Sequence, residues 1–437
     1  MRRPSNPVLT ALRGKGPAYF LRRAKMLAER YGLTPARMDG SLQQLTHILH
    51  RFNCQATLPV TAVVLARNPQ VIQKYQAQGI EFIVHGYTHI DYSELTQEQQ
   101  MAHLRQACLI FAREGVAAAG FRAPYLRREA RYLNATMEAL QFSYVSNQTV
   151  LWDVLDTAAF APPSRANYER AIAFYRPWHA SQRPSLPRLC GQLVEIPVSL
   201  PDDEMLLDRL GGGRHNLVEI AWRRILAHTH RRGELFTIQL HPERTALCAD
   251  QLAAVLAEAR QLSPSVWFAR LDEIAAWWRA RAAAGVEIQE IGNGRWQLSV
   301  GGPPGTAILA RGVDIQGPLQ AWVDGYQLVT ATACTIRAAS RPFIGVAPTS
   351  PPAMVNFLRE QGYLVQASPD RDAYSIYLDR ADFSPQHEHP LLASIEEADR
   401  PLVRLGRWPH GARSAVCVTG DVDALTLWDY GLRLFGR

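Results

Sequence analysis

Two histidines four residues apart, His85 and His89, follow directly on the apolar run Phe82-Ile83-Val84. Imidazoles at i and i+4 lie on one side of a helical turn and can share one divalent ion; the plainer alternative is a pair of capped or surface histidines. Far away in sequence, Thr419-Gly420-Asp421-Val422-Asp423 sets two carboxylates at i and i+2 after another apolar run. One of them can bind a metal while the other stays free as a base, because a carboxylate beside a cation remains ionised. The same pattern also makes an ordinary acidic turn. Arg122-Ala123-Pro124-Tyr125 offers a rigid guanidinium fork able to hold a carboxylate, in a chain kept extended before its proline, or else a loop arginine in a surface ion pair. Leu240-His241-Pro242 ends a further apolar run with a histidine. Imidazole has the right pKa range to donate a proton near neutrality, although a lone histidine often serves structure only.

Parallel β/α units are the elements that could position these groups. Between residues 19 and 52 apolar side chains recur at helical spacing (Leu42, Leu45, Ile48, Leu49, Phe52), and Gly32 and Pro35 divide that stretch into two helices. A buried strand is expected over residues 56–64 and a helix over 69–78, stopped by Gly79. A strand at 81–84, a helix at 97–114 and a short strand into Arg122 follow. Further strands are expected at 144–146, 193–197 and 235–240, and a helix over 271–284 carries Ile274, Trp277 and Trp278 on one face. This alternation predicts a parallel sheet. Each of the four constellations falls at the C-terminal end of an expected strand, where active sites of such folds gather. From Val286 the pattern changes to short strands between Gly-Asn-Gly and Gly-Gly-Pro-Pro-Gly turns, which predicts a small β-sandwich or β-sheet module to about residue 340. A linker at 348–352, a helix at 354–361 and a strand at 374–378 come next, then a last strand at 414–419 and a terminal helix at 425–435.

Composition narrows the function classes. Of the 437 residues, 47% are hydrophobic and 20% charged, an ordinary globular balance. The net charge of +7 is carried almost wholly by arginine, and the one basic region, residues 2–30, reads as a solvated helix face rather than a nucleic-acid or membrane surface. Six dispersed cysteines without a CxxC pair indicate neither a zinc knuckle nor a disulfide framework. No apolar run long enough to span a bilayer and no secretory h-region is visible, so a cytoplasmic location without stable membrane insertion is expected.

Taken together, His85 to His89, Arg122 to Tyr125, Ile238-Gln239-Leu240-His241-Pro242 and Thr419 to Asp423 resemble the motifs of the polysaccharide deacetylase family, the NodB-type domain of carbohydrate esterase family four. Gly86 stands where that family has a hydroxyl residue and Gly420 where its acidic motif has an aromatic; Gln55 to Thr61 is similar to its second strand. The likeness covers about residues 30–282 and 400–437. The family places the acidic motif first, whereas here it comes last. The resemblance therefore implies an α/β fold, a deformed (β/α) barrel that is circularly permuted and carries a small β-rich inserted module. The expected division is 1–285 for the main barrel, 286–345 for the β-rich module, 346–400 for a linker and small α/β segment, and 401–437 for the permuted first strand, acidic motif and helix. By the same resemblance Asp423, His85 and His89 would hold Zn²⁺ or another divalent transition metal, Asp421 would act as base and Arg122 would orient it. The Tyr125 backbone N–H would help bind the oxyanion, and His241 would protonate the leaving amine. The family's further acidic residue, which orients the catalytic pair, has two candidates here, Asp153 and Asp156. The implied reaction removes acetyl groups from N-acetylated sugars or polysaccharide, with an N-acetylated carbohydrate as partner, no nucleic acid, and an undetermined oligomeric state. The alternatives are a metal amidohydrolase acting on a small non-sugar amide, and a degenerate carbohydrate-binding protein.

Overall fold

Strand Ser414–Gly420 is buried at every position, which a strand achieves only with neighbours on both edges and covering layers on both faces. In the computed structural model, which describes residues 27, 29–127, 130–210 and 215–435, those neighbours are Leu235–Leu240 and Ala56–Val60. Leu235↔Ala415 through Leu240↔Gly420 are in parallel register on one side. On the other side Ala56 faces Val418 and Thr57 faces Thr419, while Val266–Phe268 takes the lower half of the same edge. The sheet continues in parallel through Glu81–Val84, Gly120–Phe121, Tyr144–Val145 and Leu193–Glu195, and ends on the antiparallel strand Arg188–Cys190. It curls until its ends approach. The Leu235 N–H donates to the Ser185 carbonyl at 2.8 Å, and Ser185 Oγ donates back to the Leu235 carbonyl at 2.8 Å.

Helices cover the outside. Ala36–Arg51 starts directly after Pro35 and buries Met38, Leu42, Leu45, Ile48 and Leu49, packing on Thr245–Gln261, which also packs on His215–Arg232. Gln97–Arg113 begins with a capping box between Thr96 and Gln99. One expected boundary shifts here. The strand expected over 56–64 stops at Val60, because extended Thr61 turns the chain into the helix Ala62–Arg67. That helix's first amides are satisfied from outside: the Ala62 and Val63 N–H groups donate to the carbonyls of Gly86 (2.9 Å) and Tyr87 (3.1 Å).

The β-rich region is a sandwich of two four-stranded antiparallel sheets. One has the order Gly285–Gly292, Arg295–Gly301, Ala333–Arg337, Asp314–Gln316; the other Leu319–Ala321, Tyr326–Val329, Ile308–Arg311, Leu402–Leu405. Arg295–Gly301 alternates exposed and buried residues, so Trp296, Leu298 and Val300 face Ile308, Ala310, Val403 and Leu405. Leu402–Leu405 was expected with the barrel. It pairs instead with Ile308–Arg311, since that strand's free edge offers it a full set of hydrogen bonds, and the barrel resumes only at Ser414. Between sandwich and barrel, Arg341–Val346 pairs in parallel with Val365–Ala367 and Tyr374–Leu378, covered by the helices Pro352–Glu360 and Glu388–Glu397. The six cysteines form no disulfide. Among the described residues no helix is long and apolar enough to cross a membrane. The basic stretch up to residue 26, and the termini Met1 and Arg437 that a permutation would have joined, lie outside the described residues.

Removing residues 412–437 should open the barrel between two strands that pair with nothing else along those edges. The expected result is loss of cooperative thermal unfolding, read by circular dichroism, together with loss of any bound metal. A truncated chain that still melts cooperatively and retains metal would show that strand Ser414–Gly420 is dispensable.

Candidate metal centre

His85 and His89 do not sit on a helical turn. They lie in the loop after strand Glu81–Val84, and the expected helical geometry gives way to a turn at Gly86, whose φ is +85°. A Cβ there would come within 3.0 Å of both the Thr88 carbonyl and the Tyr92 ring, so only glycine makes this bend. The bend folds His89 back until the two imidazole centroids are 5.3 Å apart. His85 Nδ1 lies 2.8 Å from the Arg122 carbonyl. Because a carbonyl only accepts, Nδ1 carries the proton and Nε2 presents a lone pair.

The carboxylates arrive from the neighbouring strand. At its end the Asp421 N–H donates to Leu240 O (3.2 Å) and the Val422 N–H to Pro59 O (2.7 Å). The acidic turn is thus held from both sides. Gly420 allows the approach: a Cβ would meet Leu240 O at 3.1 Å and Leu58 Cδ2 at 3.2 Å. Farther on, Asp429 accepts from the N–H groups of Leu425 and Thr426 (3.3 and 3.0 Å) and pairs with Arg67 at 2.6 Å, tying the turn to the helix behind it. Asp423 Oδ1 comes to 3.4 Å from His85 Nε2 and 3.3 Å from His89 Nε2, whereas Asp421 Oδ2 is 3.9 Å from His85 Nε2. One ligand atom each from His85, His89 and Asp423 falls within 4.8 Å of the others. His85 Nε2 is buried without a hydrogen-bond partner. Leaving such an atom unsatisfied costs about 1–3 kcal/mol, and a cation among these three groups would remove that cost. Two imidazoles and one carboxylate also form the kind of donor set that binds zinc with coordination positions left open.

Arg122 is fully buried. Its Nε donates to Ser146 O (3.1 Å), Nη2 to Ser146 Oγ (2.8 Å), and Nη1 to Asp421 Oδ1 (3.1 Å), Thr419 Oγ1 (3.0 Å) and Gln239 Oε1. A buried guanidinium so engaged fixes its carboxylate partner. Burial alone would raise the Asp421 pKa, but His85, Arg122 and His241 together hold it below the usual carboxylate value. Tyr125 and Leu126 have φ of +62° and +55°, consecutive left-handed residues that the surrounding structure must hold in place. The Tyr125 ring stands edge-on to His89, with centroids 4.4 Å apart.

His241 is oriented by Asp203, which neither expected acidic candidate resembles in position. Asp203 Oδ1 lies 2.7 Å from His241 Nδ1, and Oδ2 accepts the His241 N–H at 2.8 Å. Asp153 and Asp156 are exposed, and Asp156 merely accepts from the Ala158 N–H. Burial works against charge on His241, yet the adjacent Asp203 carboxylate raises its pKa well above the ordinary imidazole value. A cavity of about 470 Å³ reaches His89, Tyr125, His241, Asp421 and Asp423, with His85 and Arg122 buried behind them.

Residues 35–145 match the family model for polysaccharide deacetylases. The matched segment holds His85, His89 and Arg122, while His241, Asp421 and Asp423 lie outside it. Among solved structures it is similar to a protein from Pseudomonas aeruginosa PAO1 described as a polysaccharide deacetylase, 21% identical over 55% of this chain and 73% of that one, TM-score 0.42. A second, from Mycobacterium smegmatis with the same description, is 21% identical over 62% and 85%, TM-score 0.43. The Puue allantoinase is 19% identical over 55% and 72%, TM-score 0.42. No curated protein matches the chain. The sequence reading of this site missed Asp203 and Gln239. Both left a signal: Asp202-Asp203-Glu204 follows strand Val198–Leu200 as Asp421 follows its own strand, and Gln239 is a lone amide in the apolar run Leu235–Leu240.

His89→Ala should lower bound zinc to below about a tenth of an equivalent, measured by elemental analysis after dialysis. Its melting temperature should stay near that of the unaltered protein, because loop-end ligands contribute little to the core. Full zinc retention would remove His89 from the centre.

Proposed function

We propose that the protein is a metal-dependent hydrolase that removes acetyl groups from N-acetylated sugars or polysaccharide. The observation that carries this reading is the buried, unpartnered His85 Nε2 facing Asp423 beside the Arg122-held Asp421. His85, His89 and Asp423 would hold the ion, zinc or another divalent transition metal. When bound, such an ion lowers the pKa of a water toward about 7 and polarises the acetyl carbonyl. Asp421, ionised and fixed by Arg122, takes the proton of the attacking water. The backbone N–H of Tyr125 would help bind the developing oxyanion. His241, kept protonated by Asp203, gives its proton to the departing nitrogen as the C–N bond breaks, leaving acetate and a free amine. The same reading treats the chain as a circular permutation of the family's order. What supports it is the position of Ser414–Gly420 between Leu235–Leu240 and Ala56–Val60, where strand pairing brings the last motif beside the first.

The direct assay is acetate release from N-acetylated oligosaccharides, stopped by a chelator and restored by zinc. Release from small non-sugar amides alone would instead favour an amidohydrolase, and no release from either would favour a degenerate binding protein. Asp421→Asn should keep its metal while losing rate by about 100- to 10,000-fold. Loss of metal in Asp421→Asn but not in Asp423→Asn would reverse the two assignments. The acid must be protonated to act, so activity should fall on the alkaline side as His241 loses its proton. Asp203→Asn removes the charge that raises His241 and should move that alkaline limb down by about 1–3 pH units. An unmoved limb in the pH–rate profile would separate Asp203 from the acid.

A further inference from the structure

A second cavity, of about 560 Å³, opens at the other end of the barrel sheet, where the strands begin, between the barrel, the β-sandwich and the helix Glu388–Glu397. Its apolar lining includes Leu309, Trp322, Leu392 and Ala393, and five arginines reach it: Arg231, Arg232, Arg404, Arg407 and Arg413. Some of this charge is already matched. Arg413 pairs with Asp324 at 2.6 Å. Arg404 Nε lies 3.4 Å from Glu396 Oε1, but Glu396 is shared with Arg311 (3.6 Å) and accepts from the Tyr326 hydroxyl (2.9 Å) and that of Tyr363.

Arg407 is different. It is 6% exposed, and among the described residues no carboxylate lies within 4.0 Å of it. Nη1 donates to the Arg232 carbonyl at 2.9 Å, and Nε has no hydrogen-bond partner. Arg404, equally buried, leaves Nη1 without one. The remaining buried carboxyl of the cavity, Glu234, is turned to the Ser185 N–H at 3.0 Å, and burial pushes its pKa up to about 7. Burial together with Arg232 and Arg407 pushes His389 down to about 4, so it is a neutral hydrogen-bonding group at neutral pH. A buried guanidinium that lacks a counter-charge is strongly disfavoured unless an anion supplies one.

We propose that this cavity is a binding site for a small organic anion, an oxyanion, phosphate or carboxylate, on an apolar body, with the oxyanion between Arg404 and Arg407 and the body against Trp322 and Leu392. Forked donors suit an oxyanion with two available oxygens, and the apolar wall excludes the water that would otherwise screen the charges. The segment from Arg404 to Arg413 leads straight into strand Ser414–Gly420, so an anion here would also brace the base of the strand that bears Asp421 and Asp423.

Calorimetric titration of the full chain with phenyl phosphate and with benzoate tests this, the tighter of the two identifying the oxyanion. One equivalent is expected to bind, and about tenfold or greater weakening in Arg407→Met. Ala393→Glu, which places a carboxylate in the cavity, should weaken binding as much while leaving acetate release unchanged, and it decides the question if Arg407→Met does not fold. His89→Ala should bind as the unaltered protein does. No saturable binding of either probe would overturn the site. So would binding that survives Ala393→Glu and disappears in His89→Ala, since the anion would then lie at the metal centre.

Discussion

The parallel pairing of Ser414–Gly420 with Leu235–Leu240 and Ala56–Val60 is the constraint on which everything else rests. Its hydrogen bonds fill two strand edges that would otherwise be bare in the middle of the sheet, and unpaired edges invite association with other chains. The same register sets the depth of the acidic turn. With Leu240 opposite Gly420 and Val60 bridged to Val422, the next carboxylates can emerge only at the mouth of the barrel, beside the loop that carries His85 and His89. A shift of one residue would turn every side chain of the strand to the opposite face and separate Asp423 from both imidazoles.

Electrostatic balance follows from that register. Arg122 pairs with Asp421 in the interior, and Arg122 with His85 and His241 holds the Asp421 pKa below the usual carboxylate value despite its burial. Gln239 and Thr419, on adjacent strands, take up further guanidinium protons, with Thr419 Oγ1 donating to Gln239 Oε1 at 2.7 Å. A parallel arrangement governs His241, whose Nδ1 and backbone N–H both meet Asp203. The two assemblies divide the proposed chemistry: one keeps a carboxylate ionised as base among Arg122 and the neighbouring imidazoles, and the other keeps an imidazole protonated as acid beside Asp203.

The sandwich and the small parallel sheet lie against the opposite end of the barrel. Leu402–Leu405 completes the sandwich, and Trp408 packs among Trp267 and Trp278 of the barrel before the chain re-enters it at Ser414. The Trp408 Nε1–H donates to the Gly233 carbonyl at 3.0 Å and Trp277 Nε1–H to the Arg407 carbonyl at 2.8 Å. This junction is therefore fixed by buried, hydrogen-bonded indoles rather than by a loose linker, and the arginine-lined cavity is part of it.

Local sequence marked the candidate site residues and most of the elements. Apolar runs such as Leu235–Leu240 and helical periodicity such as Leu42, Leu45 and Leu49 depend on neighbours a few positions away, so they are legible without the fold. The seven residues expected at the site come together, with five lining one cavity and His85 and Arg122 behind it. Strand ends and loop shapes were less legible: Thr61 begins a helix because carbonyls 24 residues away receive its first amides, and the turn at Gly86 replaces a helical one because Tyr92 leaves no room for a side chain. Only tertiary structure decided that Leu402–Leu405 belongs to the sandwich, and that Asp203 rather than Asp153 or Asp156 meets His241. Partners separated by 38 residues, as Asp203 and His241 are, or by 299, as Arg122 and Asp421 are, leave no periodic trace in the chain. Their meeting is set by strand order and register, which are properties of the folded sheet.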